Sequence, residues 1–113
     1  MATGQILIVD DDQTQSKLAS LLLQEAGWVI RVAGSAERAQ EVLKSFQPQL
    51  ILMDIQLPGL DGLQLTRLLK LDPVYSGTKI LALTAYTHAT DLEQARLAGC
   101  AGYISKPIDA EFR

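Results

Sequence analysis

The chain has 113 residues, 48% hydrophobic and 20% charged, which suits one packed domain and excludes a disordered chain. Its formal charge of -3 argues against sequence-independent phosphate-backbone binding, and 5% aromatics leave little for base stacking, so no direct nucleic-acid partner is expected. A single cysteine, Cys100, cannot form an internal disulfide and reads as a small buried hydrophobe. No apolar stretch approaches the roughly 18 residues of a membrane span, and Met1 to Gln5 lacks the basic start of a signal peptide; a soluble cytoplasmic protein without membrane contact is expected.

In chain order, apolar runs bounded by turn residues predict strands at Ile6 to Val9, Trp28 to Val32, Leu50 to Met53, Ile80 to Leu83 and Tyr103 to Ile104. The first, third and fourth runs are continuous rather than alternating, as in parallel strands buried on both faces. Helical spacing separates them. Leu18, Leu21, Leu22 and Ala26 define a first helix stopped by Gly27, and Ala36, Ala39, Leu43 and Phe46 a second opened by Ser35 as N-cap. Leu65, Leu68 and Leu69 define a third after the turn Pro58 to Gly62, and Leu92, Ala95 and Arg96 a less apolar fourth before Gly99. Strand and helix alternate throughout, which indicates right-handed βαβ units and a doubly wound α/β domain over residues 1–113, with no internal linker or repeat.

In such folds ligands sit beyond the carboxyl ends of the strands. Those ends carry Asp10, Asp11 and Asp12 after the first strand, Asp54 after the third, Thr84 after the fourth and Lys106 after the fifth. Two carboxylates about 4 Å apart repel by roughly 4 kcal/mol at an effective dielectric of 20, so such a cluster calls for a cation or a raised pKa. Hard oxygen ligands favour Mg²⁺, Mn²⁺ or Ca²⁺, and Mg²⁺ leaves room for a phosphate oxygen. Lys106 and Thr84 on the same rim would bind the oxygens of a phosphoryl group on Asp54, and the site reads as built to gain and lose phosphate.

ILIVDDD at 6–12, LILMDIQLPGLDG at 50–62, LTA at 83–85 and SKP at 105–107 resemble the receiver domain of two-component response regulators, from about Gln5 to Pro107. The resemblance implies a flavodoxin-like five-stranded sheet of order 2-1-3-4-5 and a cytoplasmic, bacterial phosphorelay setting. It makes Asp54 the phosphoacceptor and itself a metal ligand, Asp11 a direct Mg²⁺ ligand and Asp10 a ligand acting largely through water, with Mn²⁺ as a substitute and the backbone carbonyl of Gln56 as a further protein ligand. It makes Lys106 the phosphate-binding lysine, aimed by a cis Lys106-Pro107 bond that the sequence alone would make trans. Thr84 becomes the switch hydroxyl and Tyr103 the aromatic that turns inward with it. Partners implied are a histidine kinase or histidine phosphotransfer protein and a downstream output protein or domain, met around the fourth helix and fifth strand.

Asp12 receives no role from the resemblance, and an acidic triplet taken alone reads as a solvated strand end capping the next helix. His88 is read as an exposed loop or helix-start residue with no assigned function. Gln56 and Tyr86 are individual to this chain, and a bulky Tyr86 is expected to shield an acyl phosphate on Asp54. After Pro107 only six residues remain, too few for the fifth helix that closes receivers. A missing or truncated last helix leaves an apolar face uncovered, which favours a homodimer or swapped dimer and suggests excision from a longer protein. The alternatives are a Mg²⁺-dependent aspartyl-phosphate hydrolase of haloacid dehalogenase type, using Asp10 and Asp12, and a phosphorylation-independent binding module. Beyond self-catalysed phosphotransfer and dephosphorylation, no enzyme activity is expected.

Overall fold

Five short runs form five parallel strands; the three inner ones are buried on both faces, which needs apolar side chains above and below, and the two edge strands stay partly exposed. The computed structural model describes residues 4–55, 61–84 and 89–105, apart from the side chains of 89–91. The elements are β1 (Gly4–Val9), α1 (Gln13–Glu25), β2 (Trp28–Ala33), α2 (Ala36–Leu43), β3 (Leu50–Asp54), α3 (Gly62–Leu71), β4 (Lys79–Thr84), α4 (Ala89–Ala98) and β5 (Gly102–Ser105). The sheet order is β2-β1-β3-β4-β5, so the chain steps to one side of β1 and then crosses to the other. The switch point between β1 and β3 is the crevice where ligands gather in doubly wound sheets.

Side-chain alternation divides the core in two. Leu7, Val9, Ile51, Met53, Ile80 and Ala82 point to the face covered by α2, α3 and α4, whose Ala39, Leu65 and Ala95 pack there. Ile6, Ile8, Leu52 and Leu83 point to the other face, against Ala19 and Leu23 of α1. Beside α1 that second face is left as an open groove of about 320 Å³ lined by Ile6, Leu23, Trp28, Leu50, Leu81 and Ile104 among others. The expected shortfall of a fifth helix falls on residues 106–113, outside the described residues.

Helix ends follow the predicted signals. Ser35 accepts the Arg38 backbone N–H at 3.0 Å, and Gly27 and Gly99 take positive φ of 100° and 114° where α1 and α4 end. The helix phases differ from expectation in two places. In α1 the buried residues are Ser16, Ala19 and Leu23, while Leu18 and Leu21 are 38% and 52% exposed and Ala26 caps the helix in solvent. The leucine run 21–23 fits a 3.6-residue period in two phases, and the small Ser16 and Ala19 let the helix seat against the sheet in the other one. In α3 the inward face is Gly62, Leu65, Thr66 and Leu69, and Leu68 is 50% exposed. Phe46 is buried as expected but lies beyond the end of α2, with Arg31 stacked over its ring at 5.5 Å.

Candidate functional site

The β1–β3 ladder runs in register to Val9 opposite Met53, so the residues that follow, Asp10 and Asp54, stand side by side at the carboxyl ends of the two strands. Both are buried, at 2% and 3% exposure, and Asp11 stands exposed above them. One carboxylate oxygen from each of Asp10, Asp11 and Asp54 lies within 4.8 Å of the other two. At that separation each ionised pair repels by roughly 3.5 kcal/mol at an effective dielectric of 20, so the three favour a shared cation. Their all-oxygen, hard donor set, two members shielded from water and one open to it, fits Mg²⁺ or Mn²⁺.

Backbone bonds hold the acidic residues in place. The Asp10 N–H donates to the Ala33 carbonyl at 3.0 Å, tying the exit of β1 to β2. Asp10 Oδ1 accepts the Asp12 N–H at 2.9 Å, which fixes the carboxylate's rotation. Asp12 itself accepts the Gln15 N–H at 3.1 Å as N-cap of α1, the role that its place before a helical run signals. On the other side, Asp54 pairs with Leu83 and the Ile55 N–H donates to the Leu83 carbonyl at 3.3 Å. Thr84 follows as the last residue of β4, 1% exposed, opposite Ser105 of β5. Thr84 therefore ends its strand on the rim where Asp10, Asp11 and Asp54 meet.

Tyr103 lies on β5 opposite Ala82, 49% exposed, so its ring stands outward. With Leu92, Ala95, Arg96 and Cys100 it lines a groove of about 200 Å³ between α4 and β5. On the rim Arg96 pairs with Glu93 at 2.6 Å, a bond that holds the Glu93 carboxyl below and the Arg96 guanidinium above their ordinary ranges. Gln56, Tyr86, His88, Lys106 and Pro107 lie outside the described residues, so the lysine, the cis bond and the backbone-carbonyl metal ligand stay expectations.

Two further features were not anticipated from the motifs. Asp61 and Gln64 form a reciprocal capping box, at 2.8 and 3.1 Å, that opens α3. Thr66, fully buried, donates its hydroxyl to the Gly62 carbonyl at 2.7 Å. An apolar period assigns the threonine no partner, although the Asp-x-x-Gln spacing does announce the box.

A doubly wound sheet with three carboxylates at its switch point and a buried threonine ending the neighbouring strand defines an α/β domain with an acidic site at its strand ends. The response regulator receiver domain matches residues 6–112, and the chain belongs to that family. It is 38% identical over 106 residues to the polar-differentiation response regulator DivK of Brucella ovis, covering 94% of this chain and 86% of that one. Among solved structures, a putative response regulator from Chloroflexus aurantiacus superposes with a TM-score of 0.88 at 34% identity, covering 96% of this chain and 88% of that one. The chemotaxis response regulator CheY4 of Vibrio cholerae superposes with a TM-score of 0.90 at 26% identity, covering 99% and 92%. Domains of this family are signalling switches rather than enzymes acting on a separate substrate.

Proposed function

We propose that the chain is a Mg²⁺-dependent phosphoacceptor switch that takes a phosphoryl group on Asp54 from the phosphohistidine of a histidine kinase or phosphotransfer protein. The convergence of Asp10, Asp11 and Asp54 within 4.8 Å carries this reading. A carboxylate oxygen of Asp54 attacks phosphorus, the P–N bond to the imidazole breaks as the O–P bond forms, and the departing nitrogen takes up a proton. Water later attacks the same phosphorus and returns the carboxylate and inorganic phosphate. Asp10, Asp11 and Asp54, with the Gln56 carbonyl, would hold the ion, which when bound offsets the charge that builds on the phosphoryl oxygens.

Phosphorylation adds about -1.5 to -2 charges, and Thr84 and Lys106 answer it by donating hydrogen bonds to the phosphoryl group. Thr84 swings toward the phosphate, Tyr103 moves from its outward position into the space released, and the α4–β5 groove changes shape for an output partner. Moving a 1:99 equilibrium to 99:1 takes about 5.5 kcal/mol, a sum that a few charge-assisted hydrogen bonds reach.

The setting is cytoplasmic; among the described residues no helix is long and apolar enough to cross a membrane. The groove beside α1 supports self-association with a second copy, since a contiguous apolar face on a protein surface favours pairing. The test is incubation with Mg²⁺ and a small acyl-phosphate donor followed by intact-mass measurement. A gain of about 80 Da, one phosphoryl group, is expected. Persistence of that gain in Asp54→Asn would sink the assignment.

A further inference from the structure

The chain leaves β3 at Ile55 and is next described at Asp61, where α3 begins, so the first turn of α3 comes back against the strand end that carries Asp54. The meeting point is Gly62, which is buried. A Cβ at 62 would overlap the Asp54 carbonyl oxygen and stand 2.9 Å from both the Asp54 carbonyl carbon and the Ile55 Cα. These obstacles are backbone atoms, so no side-chain rotation relieves them.

From this contact we infer that Gly62 is a positioning residue for Asp54: its bare Cα lets α3 seat against the Asp54–Ile55 peptide and so sets the distance of the Asp54 carboxylate from Asp10 and Asp11. The inference rests on the phosphoacceptor reading and deepens it. The direction of yielding follows from the two partners. On the helix side the turn is held by the Asp61–Gln64 capping box, by the Thr66 hydroxyl on the Gly62 carbonyl at 2.7 Å, and by Leu65 and Leu69 buried in the core. On the strand side the bond from Ile55 to Leu83 is 3.3 Å, at the long end for a backbone pair, and β3 ends one residue earlier. A side chain at 62 therefore pushes the end of β3 rather than the helix, and the carboxylate cluster opens.

The test compares Gly62→Ala with two other glycines in the full chain. Gly34→Ala meets nothing within 4 Å, and Gly99→Ala suffers a positive φ of 114° together with a clash on Lys70, between α4 and the start of β5, at the rim of the parallel sheet opposite the strand end that carries Asp54. Mg²⁺ affinity is read by calorimetry and labelling by mass with a small acyl phosphate, alongside thermal melting. Folded Gly62→Ala is expected to bind Mg²⁺ and to label about tenfold more weakly and slowly, or worse. Gly34→Ala should match the unsubstituted chain, and Gly99→Ala should lose melting temperature while keeping Mg²⁺ affinity. Thr66→Val removes the bond to Gly62 together with the one to Cys100 and should lower Mg²⁺ affinity and labelling about fivefold, whereas Cys100→Ala, which removes only the latter, should lower neither; the pair decides the matter if Gly62→Ala does not fold. Unchanged affinity in folded Gly62→Ala or in Thr66→Val, or an equal loss in Gly99→Ala or Cys100→Ala, overturns the inference alone. An unsubstituted chain that neither binds Mg²⁺ nor labels overturns the phosphoacceptor reading with it.

Discussion

Asp10 accepts the backbone N–H of Asp12 at 2.9 Å, so two acids separated by one residue divide their work: the first is aimed into the site and the second, through Gln15, starts α1. The helix that follows the acidic loop thus begins from the same turn that orients the buried carboxylate.

Asp12→Ala removes the cap and should cost about 0.5–2 kcal/mol of stability, seen as a lower urea midpoint. Labelling of Asp54 at saturating Mg²⁺ should persist, because the backbone N–H that Asp10 uses remains. Asp12→Asn, which keeps an accepting oxygen, should stay close to the unsubstituted chain. If Asp12→Ala abolishes labelling in folded protein, Asp12 belongs to the chemistry and not to the helix.

Asp54→Asn should take no phosphoryl group, and Asp10→Asn should still take one, slowly, when Mg²⁺ is raised. A hydrolase with its nucleophile on Asp10 demands the reverse. Chelation of Mg²⁺ should stop labelling of the unsubstituted chain by small donors, since the remaining carboxylates then repel the incoming phosphate.

The helix phases are measurable. Leu23→Ala and Leu65→Ala empty buried positions and should each cost about 2–5 kcal/mol. Leu21→Ala and Leu68→Ala, which are half exposed, should each stay within about 1 kcal/mol. Equal losses at Leu21 and Leu23 would mean that α1 is rotated from the position described.

Burial pushes the Cys100 thiol above its ordinary range, outweighing the lowering effects of the Thr66 hydrogen bond and the Lys70 charge. A raised folded pKa means that the native thiol holds its proton where the unfolded one has lost it. Its contribution to stability is complete below the ordinary thiol pKa of about 8.5 and declines as pH rises past it. Native protein at that pH should alkylate with iodoacetamide far more slowly than protein in urea. Cys100→Ala should lessen the fall in urea midpoint on the alkaline side; a fall of the same size in both proteins removes Cys100 from the pH response.

Light scattering over a range of concentrations tests pairing through the groove beside α1. The expected outcome is a mass rising toward two chains, with Ile104→Glu restoring the monomer by placing a charge on the apolar lining. A monomer at every concentration ends the self-association proposal.

The strand ends were legible because chemistry and position coincide there: acids and a threonine each follow an apolar run, and strand termini in a parallel sheet share one rim. Alternation of strand and helix sufficed for a doubly wound sheet, and the motif resemblance supplied its order. Helix rotation was less legible, since Leu21, Leu22 and Leu23 satisfy the same period in more than one phase. Asp12 offered an ambiguous signal, because an acid beside two others can cap, ligate or merely face water.

By itself the sequence marked acids, a threonine and a lysine at the ends of apolar runs as the candidates for the chemistry, because side-chain type and a period of apolar residues are local properties. Only the tertiary structure decided that Asp10 and Asp54 are buried together under an exposed Asp11, that α1 turns Ala19 inward, and that Gly62 rests on the Asp54 peptide. Each of these depends on how closely two elements approach across the chain, a distance set by packing and by backbone atoms that no residue letter records.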